Sequence, residues 1–161
     1  MSPDTFEIRP FEGALPIKFG MPRDEVHDIL GSPETLGTLR SIKSTSDDWM
    51  RYGLNVRYHL EGGVAHIGFR PAHCELRLVD RVIWTPGQDV DPNWMLLSLD
   101  PAPRELLGFL IFTNLGVTTA GYHAGDTSQR AIGVFSHGEW DLFLDSSTEP
   151  DLARYKTTPG S

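Results

Sequence analysis

Cys74 is the only cysteine in the chain, which excludes an internal disulfide and any zinc site built from several thiolates. It stands at an apolar-phase position of the stretch HCELRLVDRVIW and is expected to be a small buried hydrophobe rather than a nucleophile. Long apolar runs are also missing. None approaches the length that spans a bilayer, so no membrane partner is expected. The opening MSPDTFEIRPFEG lacks a basic start followed by an apolar run, and a cytoplasmic chain is expected. Basic residues are few: 14 Lys and Arg stand against 22 Asp and Glu, a formal net charge of −8. Such a surface repels the nucleic-acid backbone, so no nucleic-acid partner is expected. The same charge suits a basic protein, a nuclease included.

Catalytic signatures are missing too. There is no phosphate-binding glycine loop with its lysine, no dinucleotide fingerprint, no HExxH and no GxSxG. The serines of STSDDW lie in a polar stretch with no base beside them. No cofactor and no enzymatic activity are expected.

What the chain does contain is alternation and punctuation. With 39% apolar residues it can bury a core, and 16 glycines with 12 prolines predict short elements and many turns. Residues 1–20 read as extended. In MPRDEVHDILGSPE, Pro22 suits a first helical turn, Asp24 and Glu25 sit at the positive end of the dipole, and Gly31 with Pro33 ends the helix. Val26, Ile29 and Leu30 form its buried stripe, which leaves His27 on the helix surface. Residues 34–48 read as a polar loop with a weak strand at 39–43.

YGLNVRYHLEGGVAHIGFRP reads as a hairpin turning at Gly62 and Gly63. A two-residue loop there pairs His59 with His66, Tyr58 with Ile67 and Val56 with Phe69. Every apolar residue except Val64 then falls on one face. CELRLVDRVIW continues that sheet, with Leu76, Leu78, Val82 and Trp84 in phase. TPGQDVDPN, residues 85–93, is the expected linker between halves spanning 1–84 and 94–161. Beyond it the apolar content predicts a buried helix from about Pro103 to Leu115, a strand at VTTAGYH, and a second hairpin turning at His137 and Gly138. Each half thus runs helix, strands, hairpin, with Pro22 and Arg23 answering Pro103 and Arg104, and Gly63 answering Gly138. The fold class expected is α+β, two degenerate repeats of a helix packed on an antiparallel sheet.

The stretch PIKFGMPRDEVHDILGSPE resembles the helix signature of small α+β proteins related to the beta-lactamase inhibitor protein and to small outer-membrane assembly lipoproteins. The matching residues are Gly20, Glu25, Val26, and the run Leu30, Gly31, Ser32, Pro33. The chain has neither a lipobox cysteine nor the paired cysteines of the secreted inhibitor. The resemblance therefore implies a tandem-repeat fold that grips another protein with its sheet surface. Small acidic bacterial proteins of this look also serve as immunity proteins that neutralise toxins.

Candidate chemistry centres on the first hairpin. His59 and His66, placed cross-strand, would lie within reach of one ion. Zinc needs a third protein ligand, for which His73, Glu61 or Glu75 are the candidates. The reading adopted is a pair of solvent-face histidines, and no metal is expected. Arg57, Arg70 and Arg77 fall on the same face, an alternative site for a carboxylate or phosphate ligand. Asp47 and Asp48 are adjacent, so a strand would point them to opposite faces. In the second hairpin Phe135 would pair with Trp140 and Gly133 with Leu142, leaving aromatic residues ringed by acids.

The function expected is a non-catalytic protein-binding module, an immunity or inhibitor protein that occludes a toxin or enzyme. Its contacts would be Trp49, Tyr58, His59, His66, Trp140, Asp141, Phe143 and Asp145. The alternative is a small-ligand-binding protein or enzyme using the arginine–histidine face. One protein partner is expected, with the chain itself a monomer or homodimer.

Overall fold

Thirteen strands, three short α-helices and one 3-10 turn at Met50–Tyr52 follow from that punctuation among the residues described in the computed structural model, which are 5–39, 44–71, 73–87, 91–122 and 130–152. They are β1 (Thr5–Arg9), β2 (Gly13–Leu15), β3 (Ile17–Lys18), α1 (Arg23–Leu30), β4 (Thr35–Leu39), β5 (Ser44–Trp49), β6 (Leu54–Tyr58) and β7 (Val64–Phe69). Then come β8 (Glu75–Leu78), β9 (Arg81–Trp84), α2 (Asn93–Leu99), β10 (Arg104–Leu106), β11 (Phe109–Phe112), β12 (Val117–Ala120), β13 (Ala131–Phe135) and α3 (Asp141–Leu144). The content is α+β and mostly sheet.

The larger sheet has the order β10-β11-β12-β13-β7-β6-β5-β4, antiparallel throughout. Two four-stranded meanders thus meet where β7 pairs with β13. A helix precedes each meander, α1 the first and α2 the second. The smaller sheet has the order β3-β2-β1-β8-β9, with β1 and β8 parallel. It packs on the inner face of the larger sheet, Phe6 meeting Phe69 edge-on at 5.4 Å. That inner face carries Leu54, Val56, Ile67, Phe69, Ile132, Val134, Val117, Leu110 and Phe112, all buried in one cluster with Val26 and Leu30 of α1 and Leu96 of α2.

Helix α1 lies where the sequence places it, and Gly31, at φ +85°, ends it in a conformation that an L side chain resists. Other expectations need correction. The polar stretch at 34–48 contains β4 and most of β5, because the backbone ladder requires no apolar side chain on its outer face. Residues 40–43 of the weak strand lie outside the described residues.

The first hairpin exists, but its register is shifted by two: Val56 faces Ile67 and Arg57 faces His66. The loop runs longer than two residues, since His59 N–H donates to Gly63 O and Gly62 N–H to His59 O. A bulge at Arg57 and Tyr58 then turns Val64 inward. There Val64 is buried and exchanges backbone hydrogen bonds with Gly20 and Met21. A shift of two keeps every side chain on its face, so the hydrophobic pattern could not detect it.

Strands β8 and β9 belong to the smaller sheet rather than continuing the hairpin, and Val82 is exposed on the edge strand. The expected helix at Pro103 to Leu115 is instead the β10–β11 hairpin. Its turn residues Leu107 and Gly108 both have positive φ, and Pro101 and Pro103 follow directly on α2. A continuous apolar run reads equally well as a buried strand, and FLIF is one. Pro103 and Arg104 therefore open a strand, and the proline standing before α2 is Pro92. The second hairpin is absent: after β13 the chain turns at residues 137–140 into α3, so Trp140 and Leu142 have no strand partners. Gly138 accordingly turns into a helix and does not answer Gly63.

Candidate functional site

Alternation along the strands of the larger sheet sends a second set of side chains to its outer face: Asp48, Asn55, Arg57, His66, Gly68, Gly133, Thr118, Ile111 and Phe109. The segment after β13 folds back over part of this face. Trp140 rests on Phe135 and Phe109, at ring-centroid distances of 6.1 and 5.5 Å, and Phe143 on Trp140 at 5.2 Å. Glu139 reaches across to β6, where its carboxylate accepts from Arg57 at 2.6 Å and stands 3.9 Å from His59 Nδ1. Thr148 pairs with Glu105, and Arg104 donates to Ser147, which holds the segment along β10.

This segment leaves an exposed apolar margin. Leu142 is 86% exposed, Phe143 52% and Leu107, in the β10–β11 turn, 90%. Asp141 and Asp145 stand beside Leu142 and Phe143 on the surface. Of the expected contact residues, the structure thus groups Trp140, Asp141, Phe143 and Asp145, through a short helix rather than a hairpin.

Trp49 and Tyr58 do not belong with them. Both are core residues of the inner face, where Trp49 Nε1–H donates to Gly31 O and Tyr58 O–H donates to Asp47. His59 and His66 are not cross-strand neighbours. His59 sits in the exposed loop, whereas His66 lies on the outer face, above Gly133 and opposite Arg57. Burial and the Arg57 charge push the His66 imidazole down to about 4. The arginine face also divides: Arg57 is paired with Glu139, Arg70 is exposed at the end of β7, and Arg77 lies on the smaller sheet, paired with Glu75. Cys74 is buried, and burial raises its thiol to about 12. Among the described residues no group of three or more His, Cys, Asp or Glu is placed to hold a metal ion, and no helix is long and apolar enough to cross a membrane.

The cluster missed by sequence reasoning surrounds Asp47. Its carboxylate is fully buried on the inner face and accepts hydrogen bonds from Arg23 Nε (2.9 Å) and Tyr58 O–H (3.0 Å), and from the second Arg23 nitrogen. His27 Nε2 lies 2.7 Å from it. Burial alone would raise the Asp47 carboxyl, but the bonds from Arg23, His27 and Tyr58, with the Arg23 charge, outweigh it and hold the group below its ordinary value. Tyr58 is raised by burial and by that carboxylate. Arg23 and His27 stand four apart on α1, one helical turn, and so reach the same oxygens. A readable signal existed: Asp47 is two residues from Trp49, in the core phase of its strand. The arrangement ties α1 to β5 and β6. Asp48, pointing the other way as alternation requires, is bonded by Asn55 Nδ2 at 2.7 Å.

Two glycines shape the middle of the outer face for different reasons. A Cβ on Gly133 would stand 2.5 Å from Thr118 Oγ1 and 2.8 Å from His66 Nε2. Gly133→Ala is therefore expected to cost about 1–3 kcal/mol in a urea titration, and an unchanged midpoint would mean that His66 and Thr118 move aside freely. Gly68 carries no such constraint.

Comparison with protein-family models, with curated proteins and with solved structures finds no match for this chain.

Proposed function

We propose that the protein is a non-catalytic protein-binding module, an immunity or inhibitor protein that occludes the working surface of a basic toxin or enzyme. The observation that carries this reading is the contiguous ring cluster of Phe109, Trp140 and Phe143, with exposed Leu142 beside it and Asp141 and Asp145 at its border. Aromatic anchors are the usual core of a binding hot spot, and exposed acids at their border favour a basic partner. The net charge of −8 would speed encounter with a cationic partner. The same reading takes the two helix-plus-meander blocks as degenerate repeats, supported by their element order on either side of the β7–β13 pairing.

The test is capture from a lysate of the source organism with wild type and with a Leu142→Ser, Phe143→Ser double variant. Both positions are exposed, so folding should survive. Wild type is expected to retain one stoichiometric basic protein, with a dissociation constant on the order of nanomolar. The double variant should hold it at least about tenfold more weakly. Identical capture by both proteins, or none by wild type, would overturn the reading.

A further inference from the structure

We infer that a cavity on the open part of the outer face binds a small amino-carboxylate, its ammonium group toward Asp48 and its carboxylate toward Arg70. This goes beyond the protein-binding reading and does not rest on it. The cavity measures about 290 Å³ and is lined by Asp48, Met50, Asn55, Gly68, Arg70 and His73, among others. That is the lower end of the size of small-molecule sites, about 300–1,000 Å³.

Its floor is a glycine with no structural reason to be one. Gly68 lies within β7 without a positive φ, and a Cβ there would meet nothing closer than 3.8 Å. Glycine inside a strand is destabilising against alanine, and it often marks where a ligand approaches the backbone. What this residue does is keep the space above the sheet empty.

The walls carry opposite charges. Asp48, Asn55 and Gly68 occupy one row on three adjacent strands, which places Asp48 about 10 Å from Gly68. Arg70 stands two residues beyond Gly68 along the line of β7, at right angles to that row, where its backbone N–H donates to Gly53 O. Asn55 Nδ2 bonds one Asp48 oxygen and leaves the other as an acceptor. Among the described residues the Arg70 guanidinium has no ion pair, on a chain where acids outnumber bases. His73 is held at the wall against Gly53, its ring 2.8 Å from where a Cβ would stand. Met50, 55% exposed, supplies apolar contact in the cavity. A carboxylate acceptor, a guanidinium and an apolar side chain around one cavity complement a zwitterion.

The experiment titrates the full chain with a panel of α-amino acids and ω-amino acids, read by calorimetry and by the amide NMR shifts of Asn55 and Gly68. At least one panel member is expected to bind saturably, and the better class reports how far apart the site holds the two charges. N-acetylation or amidation of that ligand, Arg70→Gln, and Asp48→Asn should each weaken binding at least about tenfold. Gly68→Val should abolish it. If the valine variant does not fold, the exposed Arg70→Gln change and the blocked ligands still decide. No saturable binding by any panel member, or binding that survives Arg70→Gln and both blocked ligands, would overturn the inference.

Discussion

Asp47→Ala is expected to destabilise the protein by about 2–4 kcal/mol, read as a fall in the urea midpoint with the slope unchanged. The carboxylate is fully buried and serves three donors at once, from Arg23, His27 and Tyr58. Its removal leaves the Tyr58 hydroxyl buried without its acceptor and cuts the polar tie between α1 and the sheet. Arg23 remains about one-third exposed and can rehydrate, which keeps the cost below that of a fully buried cation. The opposite truncation, Arg23→Met, strands the buried anion instead and should cost at least as much. Packing alone would make the two changes differ widely.

The same site sets an acid limit. Asp47 has a folded pKa below its unfolded value of 3.8. Its stabilisation is therefore complete above that value and is lost as the pH falls toward the folded pKa, because the unfolded chain takes up a proton that the folded site refuses. The slope for one group is about 1.4 kcal/mol per pH unit. Asp47→Asn should remove that slope.

The second large effect belongs to His66 and acts at milder pH. Its imidazole titrates near 4 in the folded protein against 6.5 in an open chain. The folded pKa is depressed, so the contribution is whole above pH 6.5 and drains away as the pH falls to about 4. The expected loss is about 2–3 kcal/mol, discounted because the residue keeps some solvent contact. Arg57 opposes the imidazolium, while Glu139 accepts from Arg57 and faces His59. Urea midpoints measured between neutral pH and pH 4 should fall for wild type and stay nearly level for His66→Gln over the upper part of that range. A wild-type midpoint that holds steady to pH 5 would mean that water reaches the ring freely.

Much of the fold was legible because it is periodic and local. The α1 boundaries follow from Pro22, Val26, Leu30 and Gly31. The β6 and β7 strands follow from strict alternation. Cys74, in the apolar phase of β8, is buried as that phase requires. Errors arose where one local pattern serves two structures. FLIF in a continuous apolar run suited a helix and is a strand. GEWDLFLD alternated like a strand, yet it enters a turn and a helix because His66 already occupies the edge opposite Phe135.

The site residues divide along the same line. Trp140, Asp141, Phe143 and Asp145 could be grouped from the sequence because they are neighbours along the chain. Arg23, His27, Asp47 and Tyr58 could not, since helix and sheet meet only after docking. Composition and periodicity by themselves determined an acidic α+β chain of short elements with one apolar face per strand. The tertiary structure alone decided the two-residue register shift, the division of the arginines between two sheets, and the burial of Asp47. Those outcomes depend on which strands pair and what lies opposite each side chain, and a residue's own neighbours in sequence carry no record of either.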